Sequence, residues 1–240
     1  MTYKEIIEVA KDCMGFCKAC LICNGKVCKN SMPGPGAKGI GDVAIRNYDK
    51  WKEIRLNMDT IAENKDVDTS FELFGKKFKY PIFAGPVGAV QLHYGDKYTE
   101  EEYNNIMLKS CNDSGIASFT GDGVNPNVMI AATNMIKKQN GMGIPTVKPW
   151  NIDIIKEKMK LVADSNAFAV AMDIDGAGLP FLKNLTPKAG SKTVEELREI
   201  KEIANRPFII KGIMTAKGAI KARESGADAI IVSNHGGRVL

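Results

Sequence analysis

A chain of 240 residues with 44% hydrophobic and 25% charged residues is sized for one large globular domain or two small ones. Its net charge of +5 is mild and its lysines and glutamates are interspersed, so nucleic acid is not an expected partner. No apolar run is long enough to cross a bilayer and "MTYKEIIEVAKDC" has no signal-peptide core, so no membrane partner and a cytoplasmic location are expected.

Residues 1–30 read as a separate cysteine-rich head. Five of the six cysteines fall here, Cys13, Cys17, Cys20, Cys23 and Cys28, at spacings of four, three, three and five. In a cytosolic chain such clustering points to metal or redox chemistry rather than to disulfides. Repeated Cys-x2-Cys units bring thiolates close enough to share zinc or an iron–sulfur cluster, and spacing alone does not choose between them.

Residues 31–80 form a second segment. "SMPGPGAKGIG" (31–41) is a Gly/Pro-rich loop, "DVAIRNYDKWKEIRLNM" (42–58) has helical spacing, and "SFELFGKKFKYP" reads as a hairpin around Gly75-Lys76. From Pro81 to the end, short apolar runs alternate with amphipathic stretches: "PIFAG" then 99–113, "IASFTG" then 126–138, "GIPTVKP" then 151–164, "AFAVAMDID" then 193–204, "PFIIKGI" then 216–225, and "AIIVSN". The runs are continuously apolar, as in parallel strands buried on both faces. Thr193 with Glu196 predicts a capping box. No Gly-x-Gly-x-x-Gly turn follows the first strand, whereas polar groups end nearly every strand, which favours a (β/α)8 TIM barrel over a doubly wound sheet. About six β/α units are expected, with the last two strands of the barrel missing.

Those strand ends carry the chemistry. Gly85-Pro86, Thr120, Thr146, Lys148, Asp173, Asp175, Lys211 and His235 all stand there, and Arg238 lies three residues past the histidine. A His beside an Asp, with Lys and Arg near, suits proton abstraction next to an anionic ligand whose developing charge must be stabilised. Asp173 and Asp175 compete for the place beside the histidine. Lys148 reads by default as exposed, His93 as a loop hydrogen-bonder, and Cys111 as a core thiol on a helix.

"PFIIKGIMTAKGAIKARESGADAIIVSNHGGR" resembles the FMN-dependent 2-hydroxy-acid dehydrogenases and oxidases, the glycolate oxidase and lactate oxidase group. The resemblance extends more loosely from about Gly34 and does not include the head. It implies that His235 takes the hydroxyl proton, Asp175 orients it, Lys211 stabilises charge on reduced FMN, and Arg238 holds the carboxylate of a 2-hydroxy acid. It further implies that Ala84, Gly85 and Pro86 line the flavin, with Thr146, Asp173 and Thr120 as polar contacts. The chain departs from the family where tyrosines are usual, at Met32-Pro33 and at Lys148 in "TVK", and lacks an arginine in "DGAGLPFLKN". Lys148 is a candidate substitute for one of these substrate-holding groups.

The chain stops before the loops that usually bind phosphate in such barrels. It is therefore expected to be part of a longer enzyme, completed by further sequence, a second chain or a homo-oligomer. Two alternatives stand beside the oxidase. One is a non-catalytic fragment that binds only metal; the other is the flavin-dependent isopentenyl diphosphate isomerase, which shares the barrel but not the Ser-Asn-His-Gly-Gly-Arg loop.

Overall fold

A computed structural model of the chain describes residues 1–29, 31, 40–179, 182, 186 and 188–239. Most of the Gly/Pro loop, Met32-Pro33 included, lies outside the described residues.

Helix α1 (Tyr3–Lys11) opens on a capping box in which the Thr2 hydroxyl accepts from the Glu5 N–H and the Glu5 carboxylate from the Thr2 N–H. This helix, not anticipated as such, buries none of its residues. Helix α2 (Val43–Trp51) follows. The helical spacing predicted to residue 58 ends at Trp51 because the later apolar positions find no cover: Ile54, Leu56 and Met58 are all exposed. Strands β1 (Phe71–Leu73) and β2 (Lys76–Phe78) form the expected hairpin, with Leu73 opposite Lys76. Its turn is Phe74-Gly75, both at positive φ, one residue earlier than predicted.

The six predicted runs become β3 (Phe83–Ala84), β4 (Ala117–Thr120), β5 (Ile144–Val147), β6 (Val170–Asp173), β7 (Phe208–Ile213) and β8 (Ala229–Val232). They pair in parallel and in sequence order, β3-β4-β5-β6-β7-β8. That order is the β/α succession of a TIM barrel over six of its units. The connecting helices are α3 (Val90–Tyr94), α4 (Glu100–Ser114), α5 (Pro126–Lys138), α6 (Ile152–Asp164), α7 (Val194–Ala204) and α8 (Ala216–Glu224). Thr99–Glu102 and the predicted Thr193–Glu196 close capping boxes on α4 and α7.

Alternation along each strand divides the core in two. On one face Phe119, Ile144, Ala171 and Ile209 pack with Phe83 and Phe168. On the other, Val147, Val170, Met172, Phe208 and Ile210 meet the helices through Leu108, Ile136, Ile155 and Ile200. Cys111 is buried on α4, as expected. No helix among the described residues is long and apolar enough to cross a membrane.

Candidate active site

Strand register builds the site. β5 sets Thr146 beside Ala171 and Val147 beside Met172, so the next step brings Lys148 level with Asp173. β6 in turn sets Asp173 beside Lys211. Lys148, Asp173 and Lys211 thus stand in one row, just above the Ala171–Ile209 level of the apolar face. The Asp173 carboxylate accepts from both lysines, Oδ1 from Lys211 Nζ and Oδ2 from Lys148 Nζ, each at 2.7 Å. With a side chain only 14% exposed, Lys148 is not the solvated lysine that its type suggests.

His235 completes the group from a 3-10 turn (His235–Gly237) just after β8. Its Nδ1 is 3.1 Å from Asp175 Oδ1, 3.3 Å from Asp173 Oδ1 and 3.5 Å from Lys211 Nζ. The two aspartates divide the work: Asp173 ends β6 and pairs the lysines, while Asp175, in the turn Ile174–Gly178, holds the imidazole. Lys211 stands fourth in a six-residue strand, followed by a register shift and Gly212 at φ +106°. A Cβ on Gly212 would lie 2.7 Å from Asp175 Cβ and Cγ, so glycine is what lets this carboxylate reach His235. Gly212→Ala is expected to cost about 1–3 kcal/mol of stability and to loosen the His235–Asp175 contact. Urea unfolding and the chemical shift of the His235 ring would show both; an unchanged midpoint would remove this steric role.

His235 itself has φ +60°, a strained conformation for a non-glycine residue. Asn234 fixes it: Asn47 of α2 and Asn234 exchange amide hydrogen bonds of 3.0 and 2.8 Å, and Gly237 N–H donates to Asn234 Oδ1. Nothing local in the sequence marks Asn47, since its partner is 187 residues away.

A cleft of about 540 Å³ opens over this row. Gly85, Pro86, Thr146, Lys148, Asp173, Lys211, His235 and Arg238 all line it. Ala84 and Thr120 do not. Ala84 pairs with Ser118 inside the sheet, and Thr120 sits beside Pro145, out of step with the inward Phe119 and Ile144. Asp175 stands behind His235, outside the lining. The cleft adds His93, Tyr94 and Asp122. Asp122 directly follows "TG" at a strand end, a signal of the same kind as the residues singled out. It is a buried hub: Lys158 Nζ and Trp150 Nε1 each donate to it at 2.6 Å, and the Lys148 N–H at 3.1 Å.

Charge follows from these contacts. Burial works to raise the Asp173 pKa, but Lys148, together with hydrogen bonds to His235 and Asp175, holds it well below the usual carboxylate range. Asp175 is raised, first by burial and then by the neighbouring Asp173 charge. Burial lowers His93 to about 4, helped by Arg238 and Lys148, so its ring is neutral at pH 7. Because its folded pKa is below the unfolded value near 6.5, the unfolded chain binds more protons between these values. Stability is therefore expected to fall as pH drops from about 6.5 to about 4. His93→Gln should flatten that part of a pH series of urea midpoints, and an identical profile would rule the residue out as its source.

The five head cysteines are free thiols, Cys23 exposed and the other four half-buried. Among the described residues the set close enough to hold an ion is Asp173, Asp175 and His235, where the Lys148 and Lys211 ammonium groups already supply the positive charge.

A profile described as FMN-dependent dehydrogenase matches residues 35–175 and 155–240. A 2-hydroxyacid oxidase from Dictyostelium discoideum is 52% identical over 222 residues, covering 81% of this chain and 56% of the relative. An L-lactate dehydrogenase (cytochrome) from Wickerhamomyces anomalus is 27% identical over 228 residues, 83% of this chain and 39% of its own length. The chain thus spans about half the length of these relatives. In fold it is similar to a lactate oxidase from Pediococcus acidilactici (TM-score 0.73, 16% identity, 99% of this chain and 67% of that one). It is likewise similar to an (S)-mandelate dehydrogenase from Pseudomonas putida (TM-score 0.75, 16% identity, 99% and 71%).

Proposed function

The chain belongs to the FMN-dependent dehydrogenase family, and from that premise we propose that its cleft binds FMN and oxidises a 2-hydroxy acid to the 2-keto acid. The carrying observation is the His235–Asp175 pair set against the Lys148–Asp173–Lys211 row on one cleft wall.

The residues present fit the cofactor. The cleft is within the usual volume for a bound organic ligand. Thr146 Oγ1 lines it, buried and without a hydrogen-bond partner, ready for the polar edge of a heterocycle. Gly85 and Pro86, just past β3, line it with backbone and little side chain, and Lys211 brings an ammonium group. Bound FMN would supply the acceptor for the hydride that leaves the substrate carbon.

The chain's own groups account for the rest. With Nδ1 given to Asp175, the basic nitrogen left on His235 is Nε2, which takes the substrate hydroxyl proton. Asp175 orients the ring and stabilises the imidazolium. Arg238, on the same cleft, is suited to the substrate carboxylate. Lys148 occupies the place of a family tyrosine and is held by Asp173, which favours a substrate bearing an additional acceptor near that wall.

The test is the visible spectrum of the protein purified without air, followed by anaerobic addition of a panel of 2-hydroxy acids. Stoichiometric flavin bleached by one of them is the expected result. Absence of flavin would overturn the cofactor, and bound flavin inert to the whole panel would overturn the reaction.

A further inference from the structure

The cysteine head is the one chemical motif that the cleft does not use. Residues 12–29 contain no apolar core: Ala19 is the sole buried hydrophobic side chain, while Phe16, Leu21, Ile22 and Val27 are exposed. So short a segment needs a cross-link, a metal or an outside surface to hold one conformation. Its backbone is nevertheless tightly placed. Gly25 packs so closely on α2 that a Cβ there would be 2.8 Å from Ala44 Cβ, and Gly15 packs against Gly95 at the end of α3. Ala44 also receives Gly237 of the His235 turn on the same terms, so one turn of α2 is held between the head and the catalytic turn.

Within the head the chain doubles back at Ala19 and Gly25, both at positive φ. Cys17 and Cys20 stand on either side of the first reversal, and Cys23 and Cys28 on either side of the second. Cys13 is apart, its Sγ taking a hydrogen bond from Lys97 Nζ at 3.2 Å. Lys18, Lys26 and Lys29 flank the remaining four thiols.

We propose that Cys17, Cys20, Cys23 and Cys28 are the thiolate ligands of one thiophilic metal centre, zinc or iron–sulfur, that pins the head to α2 at the mouth of the cleft. The Cys-x2-Cys-x2-Cys-x4-Cys spacing supplies a full four-thiolate shell. Each ligand gives its thiol proton to solvent as Zn2+ or a preformed iron–sulfur cluster is bound, so no electron transfer is needed. Four thiolates around the centre leave net negative charge, which the three flanking lysines offset. Binding draws the sulfurs inward and supplies the stability that the coreless segment lacks.

The experiment uses the whole chain purified without air, with metal and sulfide analysis, absorption spectrum and flavin content from one sample. Stoichiometric zinc without sulfide, or iron with sulfide and broad brown absorption beyond the flavin bands, supports the centre and tells the two apart. Absence of stoichiometric metal of either kind overturns it. Flavin content is read independently, so a failed oxidase reading is not mistaken for a failed metal site. On the same unmodified chain, alkylation mapped by mass spectrometry should find Cys13 reactive and the four ligands protected together until chelator is added. Equal reactivity of all five overturns the assignment. Cys20→Ser should lose the metal and Cys13→Ser keep it; the reverse pattern overturns the choice of ligands.

Discussion

His235→Ala is expected to slow reduction of bound flavin by a 2-hydroxy acid about 100- to 10,000-fold while leaving the flavin in place. In the proposed reaction the imidazole takes the hydroxyl proton, and its Nδ1 lies 3.1 Å from Asp175 Oδ1. Removing it leaves the Asp173–Lys148 and Asp173–Lys211 pairs intact, so this wall of the cleft is not dismantled with the imidazole. Stopped-flow reduction without oxygen reads the chemical step directly. Added imidazole should restore part of the rate, which a merely structural role for the ring would not allow. Reduction at the parent rate would take His235 out of the reaction.

Asp122→Ala is expected to cost about 3–5 kcal/mol of unfolding free energy, the usual result of stripping a buried cation of its partner. Lys158 is 7% exposed and Trp150 fully buried, and both donate to this carboxylate. Adding Lys158→Met to the variant should recover part of the loss, because no charge is then left stranded. Recovery stays incomplete, since the Trp150 indole and the Lys148 N–H still lack an acceptor. Urea unfolding of the parent, the single variant and the pair measures both terms. A loss below about 1 kcal/mol would mean that water or another acceptor replaces Asp122.

What the sequence revealed and what it hid divide along the range of the interactions involved. Pro126–Lys138 of α5 and the Thr193–Glu196 box of α7 were legible because periodicity and capping are matters of three or four residues. Strand existence was legible for the same reason. Strand facing was not: Thr120 looks like a cofactor ligand at a strand end, but its register with Pro145 turns it away from the cleft. Lys148 looks solvent-exposed until β6 brings Asp173 beside it. The His235, Lys211 and Arg238 assignments came from motif resemblance, and all three line the cleft. Asp122 escaped, although it follows a strand end, because its partner Lys158 is 36 residues away, and Asn47 because Asn234, although in the histidine loop, is 187 residues away. α1 escaped because its Thr2–Glu5 box fell inside a segment read for its cysteines.

The Asn47–Asn234 pair also bears on how the protein acquires its working form. Neighbouring strands of the sheet join across one or two helices, whereas this contact closes a loop spanning 187 residues. Loop closure of that length is entropically costly and contributes nothing until both ends are built. During refolding, helical circular dichroism should therefore return first, with the histidine turn settling into its left-handed conformation only when α2 arrives. Competence is thus expected to lag behind shape, the histidine turn becoming native after the sheet and helices around it.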